Sequence, residues 1–284
     1  MTYVSPPEFA QKMIDSGESK AMMSTRDTVI RGYMAGAILA LAAAFAVTIT
    51  VQTGQPLAGA LLFPVGFSLL VLLGFDLLTG VFALVPLALI DRRPGVTLPL
   101  VLRNWGLVLL GNFAGAVTVA VMMTVVLTFG FATDPNEVGQ AIASIGERRT
   151  VGYAEQGASG MLTLFTLAVL CNWMVCTGVV GAMMSTSTTG KVVVMWMPIL
   201  LFFYMGFEHA VVNMFLFPAG LMLGGDYTVS EYFLWNQLPA IAGNLVGGFV
   251  FVGLALYVTH ARTGPARLRP ISSGVESVSP ARSS

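Results

Sequence analysis

The sequence predicts an all-α membrane protein whose six transmembrane helices form an inverted 3+3 repeat, with the second and fifth helices broken. Three observations predict it. Of 284 residues, 56% are hydrophobic and only 10% charged, and the mean hydropathy is +0.80, more apolar character than a soluble core uses. Stretches long enough to cross a bilayer core, which takes about 20 residues, recur six times. Polar and helix-breaking letters of the first half return in the second at one fixed distance.

Residues 1–27 are polar and hold no apolar stretch, so no cleavable signal peptide is expected. Ser5-Pro6-Pro7-Glu8 supplies an N-cap, prolines for a first turn and a glutamate at the capping-box position, followed by Phe9, Met13 and Ile14 at helical spacing. These letters fit an amphipathic helix on the cytoplasmic membrane surface, and equally an ordinary cytosolic helix. The transmembrane domain covers residues 28–260, with spans near 28–52, 57–90, 99–130, 159–185, 192–224 and 233–260. The second and fifth are too long for one simple helix and are interrupted, by Gly74 and Thr79-Gly80 and by Gly206 with Pro218. Residues 261–284, rich in Ser, Pro and Arg from Thr263 onward, read as a disordered cytoplasmic tail.

The 14 basic and 14 acidic residues cancel, so no basic surface points to nucleic acid. Their placement is informative. Among Lys and Arg, only Arg148 and Arg149 fall in connections on one side of the expected membrane; the other twelve, including Arg26, Arg31, Arg92, Arg93, Lys191 and Arg262, fall on the opposite side. The positive-inside rule then places both termini in the cytoplasm of a multi-pass protein in a bacterial-type inner membrane.

The repeat is legible letter by letter. Gly74-Phe75-Asp76 matches Gly206-Phe207-Glu208, Pro86 matches Pro218, Asn104 matches Asn236 and Gly111-Asn112 matches Gly243-Asn244, every pair at the same offset along the chain. Three crossings per half is an odd number, so the halves face opposite ways. Broken backbone at membrane depth is tolerated only where it is buried in protein or lines a water-filled cavity. The segments 76–80 and 207–212 are therefore the expected pore.

Ionisable groups inside spans mark function or a dedicated partner, and here they are Asp76, Glu208 and His209. The two acids occupy equivalent positions, which suggests a shared structural task such as accepting backbone N–H bonds or pairing with a neighbouring subunit. His209 stands where the first half has Leu77, so symmetry does not explain it. It reads either as a satisfied core histidine or as a pore-facing imidazole that exchanges a proton or hydrogen-bonds an anion. Asn112, Asn172 and Asn244 either join helices or tie down broken backbone, and Asn172 and Asn244 could also touch substrate. Phe63, Phe67, Leu77 and Phe202 fit apolar constrictions. Cys171 and Cys176 read as small core residues. A buried metal or redox enzyme built on Glu208, His209 and the cysteines would lack ligands, because the other histidine, His260, lies at the end of the last span. No cofactor or metal is expected, and no enzymatic activity.

Three stretches resemble the formate/nitrite transporter family: Phe63 through Gly80, Leu170-Cys-Asn-Trp-Met-Val-Cys176 and Gly206-Phe-Glu-His-Ala-Val-Val-Asn-Met214, within a likeness covering roughly residues 5 to 260. The resemblance implies an aquaporin-like fold, a homopentamer with a pore in each subunit, and small monovalent anions as substrate, formate first and nitrite second. The Asp76-Leu77-Leu78-Thr79 form of the first break leans to formate, while nitrite or hydrosulfide remains the alternative. It further implies that His209 is the central histidine and Thr79 the threonine beside it. Asn172 and Asn244 would line the pathway; Leu77 and Leu78 with Phe63 and Phe67 would close its cytoplasmic side and Phe202 its periplasmic side. One departure stands out: where the family carries an outer vestibule lysine, this sequence has Gln156, or Gly157 if the alignment shifts by one, with Arg148 and Arg149 just upstream.

Overall fold

The computed structural model describes residues 3–262. The expected disordered tail falls outside the described residues, apart from positions 261 and 262. Helix α1, Pro6–Ala21, is started by the Ser5/Glu8 capping box. Its apolar face buries Phe9, Met13 and Ile14 against Ala83, Leu84 and Leu87, each such side chain contributing about 1.5–3 kcal/mol relative to exposure. Then follow α2 (Thr25–Thr53), α3 (Pro56–Leu62), α4 (Pro64–Leu72), α5 (Leu78–Ile90) and α6 (Leu98–Leu127). The second half comprises α7 (Glu137–Arg148), α8 (Val151–Glu155), α9 (Gly157–Met183), α10 (Thr188–Tyr204), α11 (Ala210–Met222) and α12, a continuous helix over Val229–Ala261.

Four helices, α2, α6, α9 and α12, are long and apolar enough to cross a membrane. The outward face of α6 keeps large apolar groups exposed, with Leu110 at 64%, Met122 at 60% and Val126 at 66%, a face suited to lipid. Its inward face packs on α2, where a Cβ on Gly36 would fall on the backbone of Asn112; only glycine permits that approach.

Between α4 and α5, and again between α10 and α11, the chain leaves the helix briefly. Each helix ends at a left-handed glycine, Gly74 at φ 73° and Gly206 at φ 68°. The interruptions therefore run over 73–77 and 205–209, slightly ahead of the 76–80 and 207–212 expected from sequence. Thr79 and Gly80 lie in the first turn of α5, and α5 and α11 continue through Pro86 and Pro218. Prolines of this kind are tolerated where neighbouring helices satisfy the freed backbone.

Two features escape the hydropathy pattern. The amphipathic α7 fills the connection before α9 and buries Val138, Ile142 and Ala143. The last span carries three stretches of π-helical turns. The first of them, Phe233–Gln237, turns the consecutive Asn236 and Gln237 both inward, as an inserted π-turn allows.

Candidate functional site

Each interruption is tied down by one buried amide from the following long helix. Asn112 accepts from the Leu78 N–H at 2.8 Å and donates to the Asp76 carbonyl at 2.9 Å. Asn244 accepts from the Ala210 N–H at 2.8 Å and donates to the Glu208 carbonyl at 2.9 Å. Every atom of one set has its counterpart at the repeat offset, so the repeat seen in the letters is a repeat of hydrogen bonds. Buried backbone polar groups need such partners. Asn172 serves the same end, donating to the carbonyls of Thr79 at 3.1 Å and Asn244 at 2.6 Å, and Cys176 Sγ donates to the Thr79 carbonyl. Asn172 and Asn244 thus hold backbone and line neither of the two cavities described below.

The equivalent acids take side-chain partners within the chain, not backbone N–H groups. Asp76 pairs with Lys20 at the end of α1. Glu208, fully buried, receives Tyr153 Oη–H at 2.9 Å and Arg149 Nε at 3.4 Å on one oxygen, and the amides of Asn213 at 2.9 Å and Asn236 at 3.1 Å on the other. Four donors satisfy an ionised carboxylate in a medium where an unpaired one would be very costly. Burial, then the Glu208 charge, pushes the Tyr153 phenol above its ordinary range, which keeps the phenol protonated as a donor.

His209 is 1% exposed and forms the N-cap of α11. Its Nδ1 accepts from the N–H groups of Val211 at 3.2 Å and Val212 at 3.1 Å. Those contacts assign the neutral ring's proton to Nε2, and Nε2–H then donates to Thr79 Oγ1 at 3.3 Å. A ring protonated on both nitrogens could not keep the cap. The imidazole lies nearly parallel to Phe202, with centroids 5.5 Å apart and 25° between planes.

Two cavities approach this point and share no lining residue. One, about 450 Å³, includes Arg148 and Arg149 in its wall and ends on Phe202, His209 and Val212. The other, about 340 Å³, includes Lys12, Lys20, Lys191 and Asp76 and ends on Phe67, Leu77, Gly80 and Val81. The fully buried Thr79, which lines neither cavity, bonds His209, and this contact forms a lock.

Three further residues take the following places. Phe63 stacks on Phe203 at 3.9 Å and meets Phe202 edge-on at 5.7 Å, while Phe67 lines the 340 Å³ cavity. Leu78 is buried and lines neither cavity, its role being the N–H held by Asn112. Gln156 lines a separate cavity with Arg148, Tyr153 and Thr163, and the cations of the 450 Å³ cavity are arginines. Sequence reasoning does not single out Lys20, Tyr153 or Asn213 and gives Arg149 no partner; all but Asn213 lie outside the apolar spans, where hydropathy gives no signal.

The chain and its fold have known relatives. The family model described as formate/nitrite transporter matches residues 7–258. The probable formate transporter of Methanothermobacter thermautotrophicus is 33% identical over 276 residues, 92% of this chain and 98% of the relative. A solved pentameric formate channel with formate bound is 25% identical with a TM-score of 0.67, covering 82% of this chain and 96% of that one. A solved ion channel of the same family superposes with a TM-score of 0.75 at 24% identity, covering 88% and 98%. With its all-α fold and its membrane-length apolar helices, this chain is a multi-pass membrane protein and belongs to the formate/nitrite transporter family.

Proposed function

We propose that the protein carries small monovalent anions of weak acids across the membrane, formate foremost, as a homopentamer with one path per subunit. The observation that carries this is the pair of cation-lined cavities, sharing no lining residue, that stop at a buried lock whose polar groups are His209 and Thr79. Each cavity gathers anions by its field. The lock then bars a bare charge, because an isolated ion in an apolar medium costs tens of kcal/mol by Born solvation. The substrate crosses as the neutral acid. In the ring state seen here Nε2–H is a hydrogen-bond donor to a carboxylate oxygen. With Nδ1 engaged as the cap, the neutralising proton comes from cavity water beside the histidine.

The architecture behind this reading has six crossings in two inverted halves, α3–α5 and α10–α11 each forming one broken crossing. Both termini are cytoplasmic in a bacterial-type inner membrane, with α1 at the cytoplasmic surface, supported by the distribution of Lys and Arg. The pentamer and formate are supported by what the relatives bear in their names.

Uptake of labelled formate by proteoliposomes tests the function. Uptake is expected to rise as external pH falls, and competition with nitrite, acetate and hydrosulfide ranks the substrates. A rate independent of external pH would overturn passage as the neutral acid; competition won by nitrite or hydrosulfide would replace formate as the main substrate.

A further inference from the structure

The repeat reaches beyond the apolar spans. Gly17-Glu18-Ser19-Lys20 closes α1 and Gly146-Glu147-Arg148-Arg149 closes α7, at nearly the offset that relates the two breaks. Structure matches them independently of the letters. The Lys20 carbonyl accepts from Asn104 Nδ2 at 3.0 Å, and the Arg149 carbonyl accepts from Asn236 Nδ2 at 3.0 Å. Lys20 Nζ pairs with Asp76 and Arg149 Nε with Glu208. Asn104 and Asn236, like Asp76 and Glu208, are repeat partners. Helix α1 packs on α5, and α7 on α11. Lys20 lines one cavity and Arg149 the other.

We infer that α7 is the second-half copy of α1, and that Lys20 and Arg149 are matched cation latches, each pairing with the carboxylate of its own break while lining its own cavity, where an entering anion can take over the cation's free N–H donors. Arg149, not Gln156, is then the residue that sets anion capture on the α7 side. The latches differ in support. Glu208 keeps three other donors if Arg149 is lost, whereas Asp76 has Lys20 as its ion-pair partner and leaves Oδ2 without a hydrogen-bond partner. Arg149 is therefore the side on which charge can be removed with the fold intact. Arg148 lines the same cavity, reaches Ser144 Oγ at 2.6 Å and forms no ion pair among the described residues, so it is not tied to the break and serves as the comparison charge.

This inference rests on the transport reading, and the test separates the two. Initial rates of labelled formate uptake are measured in right-side-out vesicles, where the α7 cavity faces the medium. R149Q is expected to raise KM by ~10-fold with Vmax within ~3-fold, as loss of a donor to the entering anion does, R149K is expected to recover most of it, and R148Q is expected to do clearly less. An unchanged KM in R149Q, or an equal effect of R148Q, overturns the assignment. Wild-type vesicles that take up no formate overturn the transport reading instead. Should R149Q fold poorly, R149Q/E208Q removes both charges together; its failure to fold as well would make Arg149 structural and sink the inference.

Discussion

Replacing His209 by leucine installs at the second break the residue that the first half uses at the equivalent position. Leu77 starts α5 from φ −94° and ψ 142° with no side-chain cap, and His209 starts α11 from φ −105° and ψ 111°. The backbone therefore accepts leucine. What H209L removes is the Nδ1 cap on Val211 and Val212 N–H, at a cost of about 0.5–2 kcal/mol, partly offset by the added apolar burial. It also removes the Nε2–H donor from the lock. On the proposed reading that donor holds the carboxylate at the lock before it is protonated; a hydrogen bond to a charged group contributes about 1.5–3 kcal/mol, so formate uptake should fall by roughly 10- to 150-fold. Thermal unfolding in detergent reports the first quantity and proteoliposome uptake the second. Uptake within about twofold of wild type, well short of the effect of one charge-assisted bond, would falsify the role assigned to Nε2. A variant that does not fold would instead make the Nδ1 cap essential to the fold and His209 a structural residue.

Asn244→Ala removes one acceptor and two donated bonds at a buried backbone corner, and leaving those groups unmet costs about 3–5 kcal/mol; a large drop in thermal midpoint is expected, and Asn112→Ala should behave alike. Gly36→Val places side-chain carbon against the backbone of Asn112 and should destabilise by about 1–3 kcal/mol or more, with a parallel loss of folded yield on size exclusion, whereas an unperturbed midpoint would mean α2 and α6 can separate freely.

Much of this is legible in the letters because a bilayer imposes coarse rules. The span expected at 28–52 is α2 at Thr25–Thr53, and that at 159–185 is α9 at Gly157–Met183, since length and hydropathy alone define a crossing. Matched Asp/Glu, Asn and Pro locate the breaks closely. The letters set them too late because Thr79-Gly80 look like local breakers, whereas the helix restart at Leu78 is fixed by Asn112, 34 residues away. The backbone partners of Asn172 and Asn244 are not legible for the same reason: an amide among apolar letters gives its burial but not its partner. Helix α7 is invisible to hydropathy, being short and amphipathic. Its one available signal, Gly-Glu-x-Arg against the Gly-Glu-x-Lys of α1, lies outside the apolar segments that carry the repeat.

The repeat also supports the proposed role of His209 over that of a core histidine. A histidine whose task was to cap α11 would be needed wherever such a break is built, yet the first half builds the same break around Leu77, with the same asparagine bonds to N–H and carbonyl. The cap is thus dispensable for folding, and its consequence is chemical: by occupying Nδ1 it fixes the tautomer and leaves Nε2–H aimed across the lock at Thr79. The scaffold is symmetric to within hydrogen bonds, and the lock is where that symmetry fails. Leucine on one side closes the path to charge, and the imidazole on the other gives an acid the one strong donor it meets there.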